Sequence, residues 1–160
     1  MRFFGFGKST PFIRPMTRAD AAACAAIHAS SFAHPWSERG INDVLASDAA
    51  FGDVAADTKS ARLRGFILSR LAADEAEILT IAVERSWRRH GLGRALLARN
   101  MSRAAGAGAR HMFLEVDEEN AAAVGLYARF GFLTVGRREG YYRSASAGKA
   151  TARIMRAPLS

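Results

Sequence analysis

The sequence has little cysteine and no long apolar run, and both absences narrow the possible classes of protein. Its single cysteine, Cys24, excludes an internal disulfide, and no Cys/His cluster has the spacing of a zinc site. No stretch reaches the roughly 18 apolar residues of a membrane-spanning helix. The apolar residues near the N-terminus are interrupted by glycine and lysine, which is untypical of a signal peptide. We therefore expect a cytoplasmic protein without a metal site or membrane association.

Positive charge, in contrast, is abundant. The 160 residues include 23 lysines and arginines against 15 acidic residues, which gives a formal net charge of +8. Such a balance favours an acidic partner: a polyphosphate cofactor, nucleic acid, a ribonucleoprotein or an anionic surface. The length and the 49% of hydrophobic residues predict one domain with a substantial core, over residues 11–160. Residues 1–10 are basic and aromatic, and we expect them to form a flexible tail.

The most informative stretch joins an apolar segment, residues 77–83, to a helix that begins near Ala95. Between them lies the basic loop Arg88-Arg89-His90-Gly91-Leu92-Gly93-Arg94. Glycines let a ligand approach the backbone, and the free N–H groups at the start of a helix attract anions. The loop therefore predicts a phosphate or pyrophosphate site. The alternative, from these residues alone, is an ordinary turn with solvated arginines, because neither the full dinucleotide fingerprint nor a P-loop is present.

The rest of the chain alternates helical and strand patterns. In chain order we expect an edge strand over residues 11–16, a helix over 17–30 capped by Thr17, a connector over 32–37, a short helix capped by Ser37, strands over 51–56 and 63–71, the strand over 77–83, a helix over about 95–105, a strand over 111–116, a helix over 120–130 capped by Asn120, a strand over 132–137, a linker containing Tyr141 and Tyr142, and a strand over 152–157. We expect Arg94, Arg99 and Arg103 to form a solvated face of the third helix. The alternation indicates an α/β or α+β fold with a mixed sheet.

This order of parts resembles the GCN5-related N-acetyltransferase (GNAT) family. The family signature Q/R-x-x-G-x-G/A stands here as residues 88–93. Eight segments also resemble the RimI branch, the bacterial ribosomal-protein alanine N-acetyltransferases: residues 32–38, 81–83, 89–97, 114–116, 120–123, 126–127, 131–132 and 141–142. The resemblance runs from about Ile13 to Leu159. It implies a single domain with a central, mixed, mostly antiparallel sheet of six or seven strands, about four flanking helices and a V-shaped cofactor cleft.

The resemblance also implies the donor, acetyl-CoA, and the residues that bind it. The pantetheine arm is expected to pair with the backbone of Ile81, Ala82 and Val83, and Asn120 to form a hydrogen bond from across the cleft. The diphosphate is expected on the loop and helix start that the glycines open, formed by Arg88, Arg89, His90, Gly91, Leu92, Gly93 and Arg94.

The implied reaction is acetyl transfer to the α-amino group of a protein N-terminus, in the type case the N-terminal alanine of ribosomal protein bS18. Glu115 is the expected base for the amine, directly or through water, and Tyr127 the expected proton donor to the CoA sulfur. Trp36, Tyr141 and Tyr142 are expected to line the acceptor cleft. Taken singly, Glu115 also fits a salt bridge at the end of a strand, and Tyr127 and Trp36 also fit core packing.

Three alternatives to this function remain open at the level of sequence. The first is a GNAT enzyme whose acceptor is lysine, a polyamine or another small amine. A CoA-binding module without turnover and a basic nucleic-acid-binding domain are the others, although the arginines gather around a glycine loop and not among exposed aromatics. The acidic turn Asp117-Glu118-Glu119 favours a positively charged acceptor segment. We expect a monomer or weak dimer with no direct nucleic-acid function.

Overall fold

The computed structural model describes residues 11–143 and 149–160, and the side chains of residues 141–150 are outside that description. The predicted tail, residues 1–10, also lies outside it. The described part contains seven strands and four α-helices: β1 (Phe12–Pro15), α1 (Ala21–Ser31), α2 (Glu38–Leu45), β2 (Ala50–Ala56), β3 (Leu63–Ala72), β4 (Glu75–Val83), α3 (Leu92–Gly106), β5 (His111–Asp117), α4 (Ala121–Arg129), β6 (Leu133–Arg143) and β7 (Lys149–Pro158). None of the helices in this part is long and apolar enough to cross a membrane.

All seven strands belong to one sheet, in the order β1-β2-β3-β4-β5-β7-β6. Neighbouring strands are antiparallel except β4 and β5, which run parallel. The predicted mixed, mostly antiparallel sheet with about four helices is therefore confirmed. The first strand lies at an edge, as its prolines predicted, because a proline cannot donate to a second neighbouring strand.

A cleft opens in the sheet because β4 and β5 pair over only part of their length. Their pairing ends at Ile78 and Leu114. On the other side of β4, the register against β3 shifts at this same point, so that Leu79 has no partner in β3. An extra residue of this kind bends its strand and increases the local twist. Beyond Leu79, β4 continues along β3 to Val83 and no longer pairs with β5, which produces the expected V-shaped cleft.

Apolar cores lie on both faces of the sheet. Phe66 points into the core beneath α1 and α2, whereas its neighbour Ile67 points into the core beneath α3 and α4. Because helices cover both faces, the middle of β3 is buried without interruption. The strands around the cleft are thereby packed against helices on both faces.

A buried polar network fastens α3 to the sheet. Asp53 on β2 is fully buried, and its carboxylate accepts hydrogen bonds from Asn100 Nδ2 at 2.9 Å and from Arg103 Nη1. Ser69 Oγ donates to Asn100 Oδ1 at 2.6 Å. The prediction that Arg103 lies on a solvated face is therefore wrong, because the buried carboxylate binds its guanidinium. Arg94 and Arg99 are exposed, as predicted.

Two predicted helix caps are confirmed and one predicted linker is wrong. Ser37 Oγ accepts a hydrogen bond from the Gly40 amide at 3.0 Å, and Asn120 Oδ1 accepts one from the Ala123 amide at 3.2 Å. Tyr141 and Tyr142 belong to β6 and not to a linker, because β6 continues to Arg143 alongside β7.

Candidate active site

The open edge of β4 forms one wall of the cleft. It carries the backbone of Ile81, Ala82 and Val83, beyond the last pairing with β5. Along a strand, N–H and C=O groups alternate, so an unpaired edge can bind an extended ligand that contains amides, in the manner of an added strand. Arg88 covers the end of this edge: its Nε donates to the Val83 carbonyl at 3.1 Å, and its Nη2 donates to Ser31 Oγ at 3.0 Å.

The loop after β4 is exposed and has an unusual backbone. Arg89 has a φ of 63° and Gly91 a φ of 83°. The left-handed conformation costs a residue with a side chain about 1–2 kcal/mol, and strain of this kind is found preferentially at functional sites. Within the loop, His90 Nδ1 donates to the Arg88 carbonyl at 2.6 Å. That bond helps to hold the backbone in its strained form.

The loop leads into the start of α3, where no side chain caps the helix. Gly91 stands at the cap position and has no side-chain oxygen, whereas α2 and α4 are capped by serine and asparagine. A Cβ on Gly91 would meet no atom of the described residues within 4 Å, so the surface above it is open. Gly93, next to the buried Leu92, faces Leu126 of α4. With exposed Arg94 and no acidic residue in the first turn, this helix start suits an anion.

The helix α4 follows β5, and its Leu126 lies beside Gly93 at the start of α3. Asn120 begins this helix and Tyr127 lies seven residues later, about two turns along the same face. The Asn120 oxygen is used as the helix cap, and the described residues offer no partner to its Nδ2 group. Tyr127 is buried, with its ring edge-on to Phe132 at 5.7 Å. Burial raises the pKa of Tyr127 to about 12, so its hydroxyl keeps its proton at neutral pH.

Glu115 is the first residue of β5 beyond the last pairing with β4. Its neighbours Leu114 and Val116 point into the core beneath α3 and α4, so the Glu115 side chain lies on the other face of the sheet. It forms an ion pair with Arg138, with 3.1 Å between Oε1 and Nη2. Tyr127 packs in the core that Leu114 joins, so Tyr127 and Glu115 belong to opposite faces of the sheet at the cleft.

Comparison with known proteins identifies the family. A family model described as "Acetyltransferase (GNAT) family" matches residues 21–132. The chain belongs to the GNAT acetyltransferase family. The [Ribosomal protein bS18]-alanine N-acetyltransferase of Escherichia coli K12 is 34% identical over 139 residues, which cover 85% of this chain and 90% of the relative. The N-alpha-acetyltransferase RimI of Mycobacterium tuberculosis is 35% identical over 147 residues, with 88% and 90% covered.

The three-dimensional comparison agrees with the sequence comparison. The crystal structure of the Escherichia coli ribosomal-protein-S18-alanine N-acetyltransferase superimposes with a TM-score of 0.86, at 31% identity and with 94% of each chain covered. More distant structures share the fold, among them Arabidopsis thaliana NAA60, solved with acetyl-CoA, at 21% identity and a TM-score of 0.81.

Acetyl-CoA is the acetyl donor of GNAT enzymes, and the cleft of this GNAT protein suits it in two independent ways. The unpaired edge of β4 offers alternating amide groups to the pantetheine arm. The uncapped start of α3, open above Gly91, offers N–H groups to a diphosphate. No group of three or more His, Cys, Asp or Glu side chains among the described residues is placed to hold a metal ion.

Trp36, which the sequence predicts to line the acceptor cleft, lies on the face of the sheet covered by α1 and α2. Trp36, in the connector between these helices, is partly buried against the core there, and its backbone N–H donates to His28 Nδ1 at 3.0 Å. His28 Nε2 lies 3.1 Å from Thr80 Oγ1 on β4. No local pattern in the sequence indicates either of these contacts. The side chains of Tyr141 and Tyr142 fall outside the described residues.

The acidic turn after β5 is less negative than its sequence indicated. Glu118 forms ion pairs with Arg137 at 3.2 Å and Arg153 at 3.4 Å. The Asp117 carboxylate accepts a hydrogen bond from the Glu119 amide at 2.9 Å. The turn therefore offers less attraction to a positively charged acceptor than its three consecutive acids predicted.

Proposed function

We propose that this GNAT enzyme transfers the acetyl group of acetyl-CoA to the α-amino group of a protein N-terminus, with the N-terminal alanine of ribosomal protein bS18 as its acceptor. One observation carries the proposal: beyond Ile78 and Leu114 the strands β4 and β5 separate, and an unpaired strand edge, an uncapped helix start and the Glu115 carboxylate lie around the resulting cleft. The names of the relatives, which match along most of their length, support the acceptor.

The donor is held mainly by backbone groups in this proposal. The pantetheine amides pair with the edge formed by Ile81, Ala82 and Val83, and Asn120 Nδ2 donates from across the cleft. The diphosphate lies on the N–H groups of Leu92, Gly93 and Arg94, and exposed Arg89 and Arg94 add charge-assisted contacts.

The acceptor must lose a proton, and the size of that cost favours an N-terminus. An α-amino group with a pKa of about 7.8 costs about 1 kcal/mol to deprotonate at pH 7, whereas a lysine with a pKa of about 10.4 costs about 4.6 kcal/mol. Glu115 is a carboxylate at the cleft with 24% of its side chain exposed, so both an acceptor amine and solvent can reach it, and in this proposal it is the base.

Two proton transfers accompany the exchange of bonds. The neutral amine attacks the thioester carbonyl carbon, the C–N bond forms and the C–S bond breaks. Glu115 takes the proton that the nitrogen loses, and Tyr127 donates a proton to the departing thiolate. Glu115 then releases its proton to solvent and Tyr127 regains one, so the products are the acetylated N-terminus and CoA with its thiol.

The acceptor class is tested with two peptides, each of which offers the enzyme a different reactive amine. One begins with Ala-Arg-Tyr and has a free N-terminus, and the other has a blocked N-terminus and contains lysine. We expect acetyl-CoA to modify the first peptide, with mass spectrometry placing the acetyl group on the α-nitrogen. Faster acetylation of the blocked lysine peptide, or of a polyamine, would contradict the proposal.

A further inference from the structure

His28, on α1, is buried and has hydrogen-bond partners at both ring nitrogens. A backbone N–H can only donate, so Nδ1 of His28 accepts from Trp36 and carries no proton. The imidazole is therefore neutral with its proton on Nε2, which donates to Thr80 Oγ1 at 3.1 Å. Its ring also stacks on Phe32, with 4.2 Å between centroids.

The bond to Trp36 is the main polar attachment of the connector between α1 and α2. Phe32 N–H still bonds to the His28 carbonyl at the end of α1, and Ser37 already caps α2. For residues 33–36, the described part of the chain supplies a single hydrogen bond, from the Trp36 amide to His28 Nδ1. The position of this stretch therefore depends on the His28 ring together with the packing of Trp36 against the core.

The second partner of His28 lies at the cleft itself. Thr80 is two residues beyond Ile78, where β4 leaves β5, and directly after Leu79, which has no partner in β3. The contacts of His28 thus join the connector to the part of β4 that forms the cleft wall.

We infer that His28 is a positioning residue for the acceptor: it fixes Trp36 and its connector against β4 and so sets the shape of the acceptor wall. The inference rests on the proposed function in one respect, namely that Trp36 lines the acceptor cleft. His28 does not touch the reacting atoms in this account. The competing explanation is that His28 merely fills the core, in which case any apolar ring of similar size would serve.

Three substitutions separate the two contacts of His28. In His28→Asn the side-chain oxygen takes the place of Nδ1 and keeps an acceptor for the Trp36 amide. In His28→Gln the amide takes the place of Nε2 and keeps the contact with Thr80 only. His28→Phe keeps a ring and removes both bonds. Ile27→Val, at the neighbouring buried position of α1, is the matched control for a general loss of packing.

The first measurement compares the acceptor KM with the dissociation constant of acetyl-CoA in each variant. Both His28→Phe and His28→Gln lose the hydrogen bond to the Trp36 amide, and this loss is expected to raise the acceptor KM about tenfold. His28→Asn is expected to remain near wild type, and the dissociation constant of acetyl-CoA to change less than about twofold in all variants. Equal increases of acceptor KM in His28→Phe and Ile27→Val, or loss of acetyl-CoA affinity parallel to acceptor affinity, would overturn the inference.

The second measurement needs no acceptor and is independent of the proposed function. Amide hydrogen exchange at Trp36 is expected to be slow in wild type and His28→Asn, and at least about tenfold faster in His28→Phe and His28→Gln. Unchanged exchange in His28→Phe would overturn the inference even if the N-terminal peptide is acetylated. Conversely, faster exchange together with a preference for lysine peptides would leave His28 as the anchor of the connector and refute only the proposed acceptor.

Discussion

Glu115 and Arg138 form an ion pair across β5, β7 and β6, with 3.1 Å between Oε1 and Nη2. Both side chains are partly exposed, at 24% and 47%, and pairs of this kind contribute at most about 1 kcal/mol. In the proposed mechanism an acceptor amine can therefore reach Glu115 without a large penalty, because the ion pair is weak and the carboxylate is partly exposed. The pair orients Glu115 without burying it, which suits a proton acceptor that must later release its proton.

Replacing Glu115 by glutamine tests its proposed role as the base. Glutamine keeps the shape of the side chain but cannot accept the proton, so kcat is expected to fall about 100-fold while acetyl-CoA binding is unchanged. Asp117→Asn is the control, because Asp117 lies two residues along the same face of β5 and asparagine keeps the oxygen that bonds Glu119. The role would be disproved by wild-type turnover in Glu115→Gln, measured by release of free CoA thiol.

Tyr127→Phe tests the proposed proton donor. Phenylalanine keeps the ring contact with Phe132, so the thermal unfolding midpoint is expected to change little while kcat falls about 100-fold. Burial raises the pKa of Tyr127 to about 12, so its hydroxyl stays protonated up to about pH 10. Deprotonation of Tyr127 should therefore cause no loss of kcat between about pH 8 and 10. A variant that turns over at the wild-type rate would assign Tyr127 to core packing alone.

Gly91→Ala tests the anion site at the start of α3. The φ of 83° is unfavourable for alanine, so we expect a loss of about 1–2 kcal/mol in the free energy of unfolding and weaker acetyl-CoA binding. Gly125→Ala is the matched control: Gly125 lies within α4 and a Cβ there meets no described atom within 4 Å. The free energy of unfolding of Gly125→Ala should rise by up to about 1 kcal/mol, because alanine is favoured over glycine within a helix. Unchanged acetyl-CoA affinity in Gly91→Ala, measured by calorimetry, would argue against the loop as the diphosphate site.

Features that depend on neighbouring residues were predictable from the sequence. The basic glycine loop, the caps at Ser37 and Asn120, and the order of strands and helices are local patterns, and the structure contains all of them. The resemblance of the whole order to one family then supplied the sheet and its cleft. Local patterns suffice for these features because caps and turns satisfy backbone groups within a few residues.

Features that depend on distant partners were not predictable. The helical pattern predicts that Arg103 is solvated, and only the fold brings it to the buried Asp53, 50 residues earlier in the chain. The contact between His28 and Thr80 spans 52 residues, and no local signal marks it. The bulge at Leu79 arises from the register against β3, which the sequence of β4 alone does not reveal. Long-range pairing of this kind decides which charges are buried and where the cleft opens.

His28 gives the folding free energy a specific dependence on pH. Burial lowers the pKa of His28 below its ordinary value near 6.5, so the folded protein binds fewer protons at this site than the unfolded chain. The contribution of His28 to the free energy of unfolding is therefore fully present above about pH 7.5. It decreases as the pH falls through 6.5 toward the lower pKa of the folded state. Protonation also places a donor at Nδ1 opposite the Trp36 amide, which is itself a donor.

Urea unfolding of wild type and His28→Phe between pH 8 and 5 isolates this contribution, because every other titrating group is common to the two proteins. The variant lacks both hydrogen bonds, so it is expected to be less stable at pH 8. The difference between the two free energies of unfolding should stay constant down to about pH 7 and narrow steadily below pH 6.5, because only wild type must keep a buried imidazole neutral. Two curves that remain parallel over the whole range would mean that His28 titrates alike in the folded and unfolded chain, and its buried ring would then not be held neutral by the connector.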